Sequence, residues 1–385
     1  MYYDFLNPSV NFFGPGCVSV VGERCKILGG KKALVVCDPF LAKMEGGPVA
    51  QTIGYVQEAG LKTVVFDGVE PNPKDKNVFA GLKLFKEEKC DMIITVGGGS
   101  AHDCGKGIGI AATHPGDLYK DYAGIEKLTN PLPPIVAVNT TAGTGSEVTR
   151  HCVITNTSTK IKFVIVSWRN LPLVSINDPM LMLKKPKGLT AATGMDALTH
   201  AVECYVTLAA NPVTDTLCEQ AIKLTANNLR QAVAYGDNVE ARTNMAYASV
   251  LAGMAFNNAG LGYVHAMAHQ LGGYYDMAHG VANAILLPHV EKYNLISNLP
   301  KFANIAVLMG ENIEGLSVRD AAYKAIDAIV ALSKDVGIPS GLAEMGVKEE
   351  DFDKMAKTAL EDGNAGCNPI VGTHKDIVNL FAAAM

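Results

Sequence analysis

The sequence is short of charge, and what charge it has is nearly balanced. Charged residues make up 18% of 385 positions, with 33 Lys plus Arg against 38 Asp plus Glu for a net charge of −5. Without a basic excess the chain cannot neutralise a phosphate backbone, so nucleic acid is not expected as a partner. Paired-cysteine spacing is also missing. The nine cysteines, at 17, 25, 37, 90, 104, 152, 204, 218 and 367, are odd in number and contain no C-x-x-C. That pattern fits reduced thiols packed as small apolar residues, and hence a cytoplasmic protein. MYYDFLNPSVNFFGPG has no basic stretch followed by an apolar one, so no secretory signal is expected. An unbroken hydrophobic run is absent as well. Residues 243–275 carry no Asp, Glu, Lys or Arg, yet Asn244, Asn257, Asn258, His265, His269 and Gln270 interrupt them. Lipid-facing spans tolerate such residues poorly, so buried helix in a soluble protein is expected and membrane association is not.

What is present is apolar and periodic. Hydrophobic residues reach 48%, which excludes general disorder, and the length suits two domains. LVVCD (34–38), KTVVFDG (62–68), DMIITVGGG (91–99) and IVAVNT (135–140) read as strands, with helix-compatible stretches between them, including 78–90. Near-continuous apolar strands alternating with helices predict a parallel sheet covered on both faces. Further strands are expected around 151–155, 161–167 and 173–177. After Pro186 helical segments replace strands: 190–206, 213–234, 240–257, 261–275, 281–297, 318–336 and 350–361. Prolines 212, 288, 300 and 339 punctuate them. The expectation is therefore an α/β nucleotide-binding domain over 1–186 and an all-α domain over 187–385.

Two motifs suggest a nucleotide. GGGS (97–100) follows the strand DMIITV and precedes a helix start, where glycines let the backbone approach a pyrophosphate and free N–H groups bind its charge. It is not the G-x-G-x-x-G fingerprint. NTTAGTGSE (139–147) after IVAVN offers a second loop of hydroxyls and glycines at a strand end. Asp38, at the end of the first strand, can accept from a ribose hydroxyl and repel a 2′-phosphate, favouring NAD over NADP. The plainer role for Asp38 is capping the turn before Pro39.

A metal is suggested by three histidine-bearing segments. ATGMDALTHAVE (192–203) places Asp196 and His200 at i and i+4 on one helix face, HAMAHQLGG (265–273) does the same for His265 and His269, and MAHGVAN (277–283) adds His279. One carboxylate with several imidazoles suits Fe(II) or Zn(II), and the absence of cysteine speaks for a catalytic site. An isolated buried His is usually a hydrogen-bonded core residue. Three His-bearing elements in an apolar domain are harder to explain that way, because each unpaired ring costs desolvation. HAMAH lacks the glutamate of HExxH, which disfavours a zinc protease.

Together VGGGSAHDCGKGIG, NTTAGTGSEVTRH, ATGMDALTHAVE and GYVHAMAHQLGGYYDMAHGVANA resemble the iron-containing (group III) alcohol dehydrogenases over essentially the whole chain. The resemblance implies the dehydroquinate-synthase-like architecture of a Rossmann-like nucleotide-binding domain followed by a helical metal-binding domain. It implies that Asp196, His200, His265 and His279 bind the metal, with Fe(II) as cofactor and Zn(II) or Mn(II) as alternatives. His269 then lies by the substrate and is the candidate proton relay. NAD contacts fall on Gly97, Gly98, Gly99, Ser100, Thr140, Thr141, Thr144, Lys162, Asp38 and Asn72. The implied reaction is hydride transfer between NAD and a small primary alcohol or diol, by a homo-oligomer between dimer and decamer in size. A redox-neutral enzyme of the dehydroquinate synthase type is the nearest rival. Its polyanionic substrate calls for Lys and Arg near the metal, and residues 192–207 and 243–275 contain none. A non-enzymatic metal- or nucleotide-binding scaffold is the second rival.

Overall fold

A computed structural model describes residues 4–159 and 162–385. By internal contacts the chain divides into two compact units, Met1–Thr141 with Gly145–Leu183 and Ala142–Thr144 with Lys184–Met385.

Among the described residues the first unit carries nine strands, β1 (Val10–Phe13), β2 (Lys32–Val36), β3 (Lys62–Phe66), β4 (Met92–Gly97), β5 (Gly124–Ile125), β6 (Ile135–Asn139), β7 (His151–Thr155), β8 (Lys162–Val166) and β9 (Val174–Asn177). Its helices are α1 (Val21–Ile27), α2 (Pro39–Lys43), α3 (Pro48–Glu58), α4 (Asp75–Glu87), α5 (Gly99–Thr113) and α6 (Leu118–Tyr122). Six strands form one sheet in the order β1-β9-β6-β4-β2-β3, every pair parallel. The reason is legible along single strands. Ala33, Val35, Ile94, Val96, Val136 and Val138 pack into one core layer, while the alternate residues Leu34, Val36, Ile93 and Ile135 pack into another. With both faces apolar, each strand needs helices above and below, and crossover connections supply them. The expected strands at 151–155 and 161–167 lie elsewhere: β7 and β8 pair antiparallel in a separate sheet, β5-β8-β7. Residue 161, the first of that expected strand, lies outside the described residues.

The second unit is helical: α7 (Lys187–Val206), α8 (Pro212–Ala234), α9 (Val239–Ala259), α10 (Tyr263–Tyr275), α11 (His279–Asn294), α12 (Leu299–Leu308), α13 (Val318–Asp335), α14 (Phe352–Leu360) and α15 (His374–Ala383). The charge-free run 243–275 forms α9 and α10 and belongs to one core with α7, α8 and α11. α7 is buried on nearly all sides, as expected of a central helix. Close approach of its backbone depends on small residues. A Cβ at Gly194 would lie 2.2 Å from Leu229 of α8, and one at Gly280 of α11 would lie 2.2 Å from the carbonyl oxygen of Ala192. Pro288 lies inside α11, within the expected segment 281–297. Its neighbours Leu286, Leu287 and Val290 are fully buried, so packing offsets the lost backbone hydrogen bond. Among the described residues no helix is long and apolar enough to cross a membrane. None of the nine cysteines is paired in a disulfide, and seven are buried.

Candidate functional site

In the first unit the chain runs from β2 out to the edge strand β3, then returns across β2 to β4, so strand order reverses between β2 and β4. Ligands of open parallel sheets bind outside the carboxyl ends of strands at such a reversal. Asp38 follows β2, Gly97 ends β4, and Gly98, Gly99 and Ser100 follow it. Gly98 is the N-cap of α5, which begins at Gly99, so this turn presents a helix N-terminus with no side chain in the way. Gly97 has φ +157°, and a Cβ there would lie 2.7 Å from Ala101 Cβ. The neighbouring strand β6 brings Thr140 and Thr141 alongside. The Thr140 N–H donates to the Gly97 carbonyl at 2.9 Å, and a Cβ at Gly98 would lie 2.7 Å from Thr141 Oγ1. The two loops named from sequence are thus adjacent. Thr144, from the same loop, groups with the second unit.

Asp38 has the capping role as well: its Oδ1 accepts from the N–H groups of Phe40 and Leu41, each at 2.9 Å. Asn72, at φ +51°, accepts from Lys162 Nζ at 3.0 Å, so these two expected cofactor contacts meet each other. Behind the loops lies a group that the motifs contained but did not single out. Lys106 of α5 is fully buried and donates to the carbonyls of Ser146, Thr149 and His151 at 2.7, 2.9 and 2.8 Å, and to Ser146 Oγ at 3.0 Å. Ser146 Oγ in turn donates to Asp103 Oδ1 at 2.7 Å. Burial pushes the Lys106 ammonium below its usual range and the Asp103 carboxyl above its own. One buried amine thereby fixes the loop that continues from Thr140 and Thr141.

In the second unit Asp196 and His200 from α7, His265 from α10 and His279 from α11 converge, one ligand atom from each lying within 4.8 Å of the others. Asp196, His200 and His265 are buried and His279 is partly exposed. The side-chain amide of Asn283, one turn after His279, lies among them. Its Nδ2 is 2.7 Å from Asp196 Oδ1, 3.1 Å from His265 Nε2 and 3.2 Å from His279 Nε2. One carboxylate oxygen and two imidazole nitrogens around one point, with His200 beside them, make the donor set of a divalent cation with nitrogen and oxygen ligands. Burial holds His200 down at about 4 and His265 well below its usual range, so both rings are neutral lone-pair donors at neutral pH. His200 stacks between Phe256 at 4.4 Å and His265 at 4.6 Å.

Two carboxylates surround the cluster. Glu203 Oε2 lies 2.5 Å from His265 Nδ1. Burial acts to raise Glu203 against the pull of backbone N–H groups at Val264, His265 and Gly262, and a cation held across the imidazole would favour the ionised carboxylate. Asp362, in the loop after α14, meets His269 Nδ1 at 2.7 Å. Burial acts to raise Asp362, but His269 and the Asn364 N–H more than offset it and hold the carboxyl below its usual range. Glu203 and Asn283 each lay inside a quoted motif, at helical spacing from a ligand. Nothing in the sequence linked Asp362 to His269, 93 positions away.

Family models place this architecture. Residues 8–179 match the iron-containing alcohol dehydrogenase family and residues 190–385 match the C-terminal region of the same family. The chain belongs to the iron-containing alcohol dehydrogenases. It is 69% identical over 382 residues, 99% of this chain and 98% of the relative, to a 1,3-propanediol dehydrogenase of Klebsiella pneumoniae. It is 47% identical over 99% of this chain and 100% of the relative to an NAD-dependent methanol dehydrogenase of Bacillus methanolicus. Among solved structures, a 1,3-propanediol oxidoreductase superposes with a TM-score of 0.98 at 69% identity, covering 100% of both chains. A sulfoacetaldehyde reductase of Bifidobacterium kashiwanohense in complex with NAD+ superposes with a TM-score of 0.87 at 30% identity, covering 100% of this chain and 99% of that one.

Proposed function

We propose that this protein is an NAD-dependent dehydrogenase of small primary alcohols and diols, with 1,3-propanediol as its substrate. The observation that carries the reading is the cluster of one carboxylate and three imidazoles on α7, α10 and α11. Identities of 69–70% over 382 residues to two 1,3-propanediol dehydrogenases support the diol. Asp196, His200, His265 and His279 hold iron(II), with zinc(II) or manganese(II) compatible with the same donors. Gly97, Gly98, Gly99 and Ser100 receive the pyrophosphate of NAD at the N-terminus of α5. Thr140, Thr141 and Thr144 line the second loop, Asn72 and Lys162 contact the cofactor, and Asp38 faces the ribose. The protein works as a cytoplasmic homo-oligomer, a reading supported by its low charged fraction and by apolar residues left on the surface, among them Ile125 and Val371.

The net reaction takes a hydride from the alcohol carbon to NAD and a proton from the hydroxyl, giving aldehyde, NADH and a proton. A bound divalent metal supplies Lewis acidity that makes the hydroxyl more acidic. The chain's own part is positional. Neutral His200 and His265 keep their lone pairs for coordination. Asp362 orients His269, whose imidazole is the group that passes the hydroxyl proton toward solvent.

The test is NADH formation from primary alcohols and diols by metal-stripped protein reloaded anaerobically with Fe(II), against the same protein left bare. Metal-dependent NADH formation, fastest with 1,3-propanediol, is expected. No NADH from any alcohol, with metal and NAD both bound, overturns the dehydrogenase reading and favours redox-neutral chemistry.

A further inference from the structure

Glu203 sits one turn beyond His200 on α7 and is only 1% exposed. Its two oxygens are divided between two partners on α10. Oε1 accepts from the backbone N–H of Val264 at 2.7 Å, and Oε2 lies 2.5 Å from His265 Nδ1. The opposite ring nitrogen, Nε2, faces the ligand cluster, 3.1 Å from the Asn283 amide that also touches Asp196 and His279. A neutral imidazole presents a lone pair at Nε2 only when its proton is on Nδ1. We infer that Glu203 is a positioning residue of the metal centre: its carboxylate holds the proton of His265 on Nδ1 and so fixes Nε2 as the metal-binding nitrogen. The inference rests on the ligand set proposed above.

The local chemistry requires a carboxylate and not merely a polar group. Donors converge on this side chain from both sides, backbone N–H groups led by Val264 on Oε1 and the His265 Nδ1–H on Oε2, and each side needs an acceptor. An amide has one acceptor oxygen. If a glutamine oxygen took the Val264 N–H, its NH2 would face His265 and demand a lone pair on Nδ1. The ring proton would then move to Nε2, where it blocks a cation. If the oxygen took His265 instead, the NH2 would confront the Val264 N–H, donor against donor. Gly262 completes the fit, since a Cβ there would lie 3.0 Å from Glu203 Oε1 and 2.7 Å from Asn368 Oδ1. Its lack of a side chain lets the first turn of α10 close on the carboxylate.

Glu203→Gln, which keeps the side-chain shape, is the direct test. Full-length protein is stripped of metal, and its Zn(II) affinity is measured by competition with a chromogenic chelator. The visible spectrum of the Co(II)-loaded form and the melting temperature of the metal-free form are recorded alongside. The expected result is a 10–100-fold weaker Zn(II) affinity, the range found for partners of metal-ligating histidines, together with an altered Co(II) spectrum. A lower metal-free melting temperature with affinity within twofold of the parent and an unchanged spectrum would mean a structural role only, and overturns the inference. His265→Ala, run in parallel, separates the two layers. If it binds Zn(II) as tightly as the parent, the ligand set itself fails. If it binds weakly while Glu203→Gln does not, only the role of Glu203 fails. Should Glu203→Gln not fold, Gly262→Ala displaces the carboxylate without removing it, and undiminished Zn(II) affinity in that variant overturns the inference equally.

Discussion

The two units build their sites from different materials. The first works largely with backbone: glycines that bring N–H groups into the open, strand ends that bring loops together, and a helix N-terminus. The second works with side chains on long helices, where Asp196, His200, His265 and His279 reach one point from three separate elements. A backbone site is damaged by adding atoms, and a side-chain site by removing them. That contrast decides which substitutions hurt where.

The largest effect is expected from Asp196→Ala, which removes the one carboxylate of the cluster. Metal content should fall to background and turnover by more than about a thousandfold, while NAD binding by titration stays near the parent value. Retained metal in this variant would break the contrast at its strongest point. Next comes an addition in the first unit. Gly98→Ala puts a methyl 2.7 Å from Thr141 Oγ1, and NAD affinity should fall by about 100-fold with metal content unchanged, as read by calorimetry and metal analysis. A normal NAD affinity would show that the two loops do not close on the cofactor through backbone.

Lys106→Met tests the exception, a side chain on which the first unit depends. It leaves the carbonyls of Ser146, Thr149 and His151 without their buried donor. At about 1–3 kcal/mol for an unsatisfied buried group, the melting temperature should fall by roughly 5–10 °C. NAD affinity should weaken too, because the loop is no longer held. An unchanged melting temperature would mean that the loop keeps its shape without the amine. The smallest effect belongs to Asp38→Gly. Removing one negative charge should improve NADP use relative to NAD by about tenfold, the change expected for roughly 1.4 kcal/mol. Loss of the cap on α2 should cost about 1 kcal/mol of stability. Cofactor preference that does not move would leave Asp38 with the cap alone.

Legibility from sequence followed the same division. The parallel sheet could be read because burial on both faces leaves long apolar runs in β2, β4 and β6. The candidate cluster could be read because Asp196 with His200, and His265 with His269, stand at helical spacing, although spacing alone did not separate His269 from the four side chains that converge. Other elements left weaker marks. β5 has two residues, too few for a period to show. α12 begins at Leu299 with Pro300 in its first turn, and the expected segments left 298–317 without a helix. β7 and β8 read as strands, but their pairing in a second sheet depends on register partners such as Cys152 with Ile165, which no local pattern encodes. Lys106 and Asp362 were invisible for the same reason. Each acts on residues about 40 to 93 positions distant, and a lone Lys or Asp carries no periodicity.

The contact between Gly280 and the Ala192 carbonyl has a consequence for redesign. At that crossing α7 and α11 meet with no room for a side chain between them. Libraries that vary Leu198, Leu286 or Leu287 to reshape the interior can therefore change volume and shape while the ligand-bearing turns keep their spacing. Libraries that include Gly280 or Gly194 move the frame itself. Selection for new alcohols should accordingly accept changes at the leucines and reject them at the glycines.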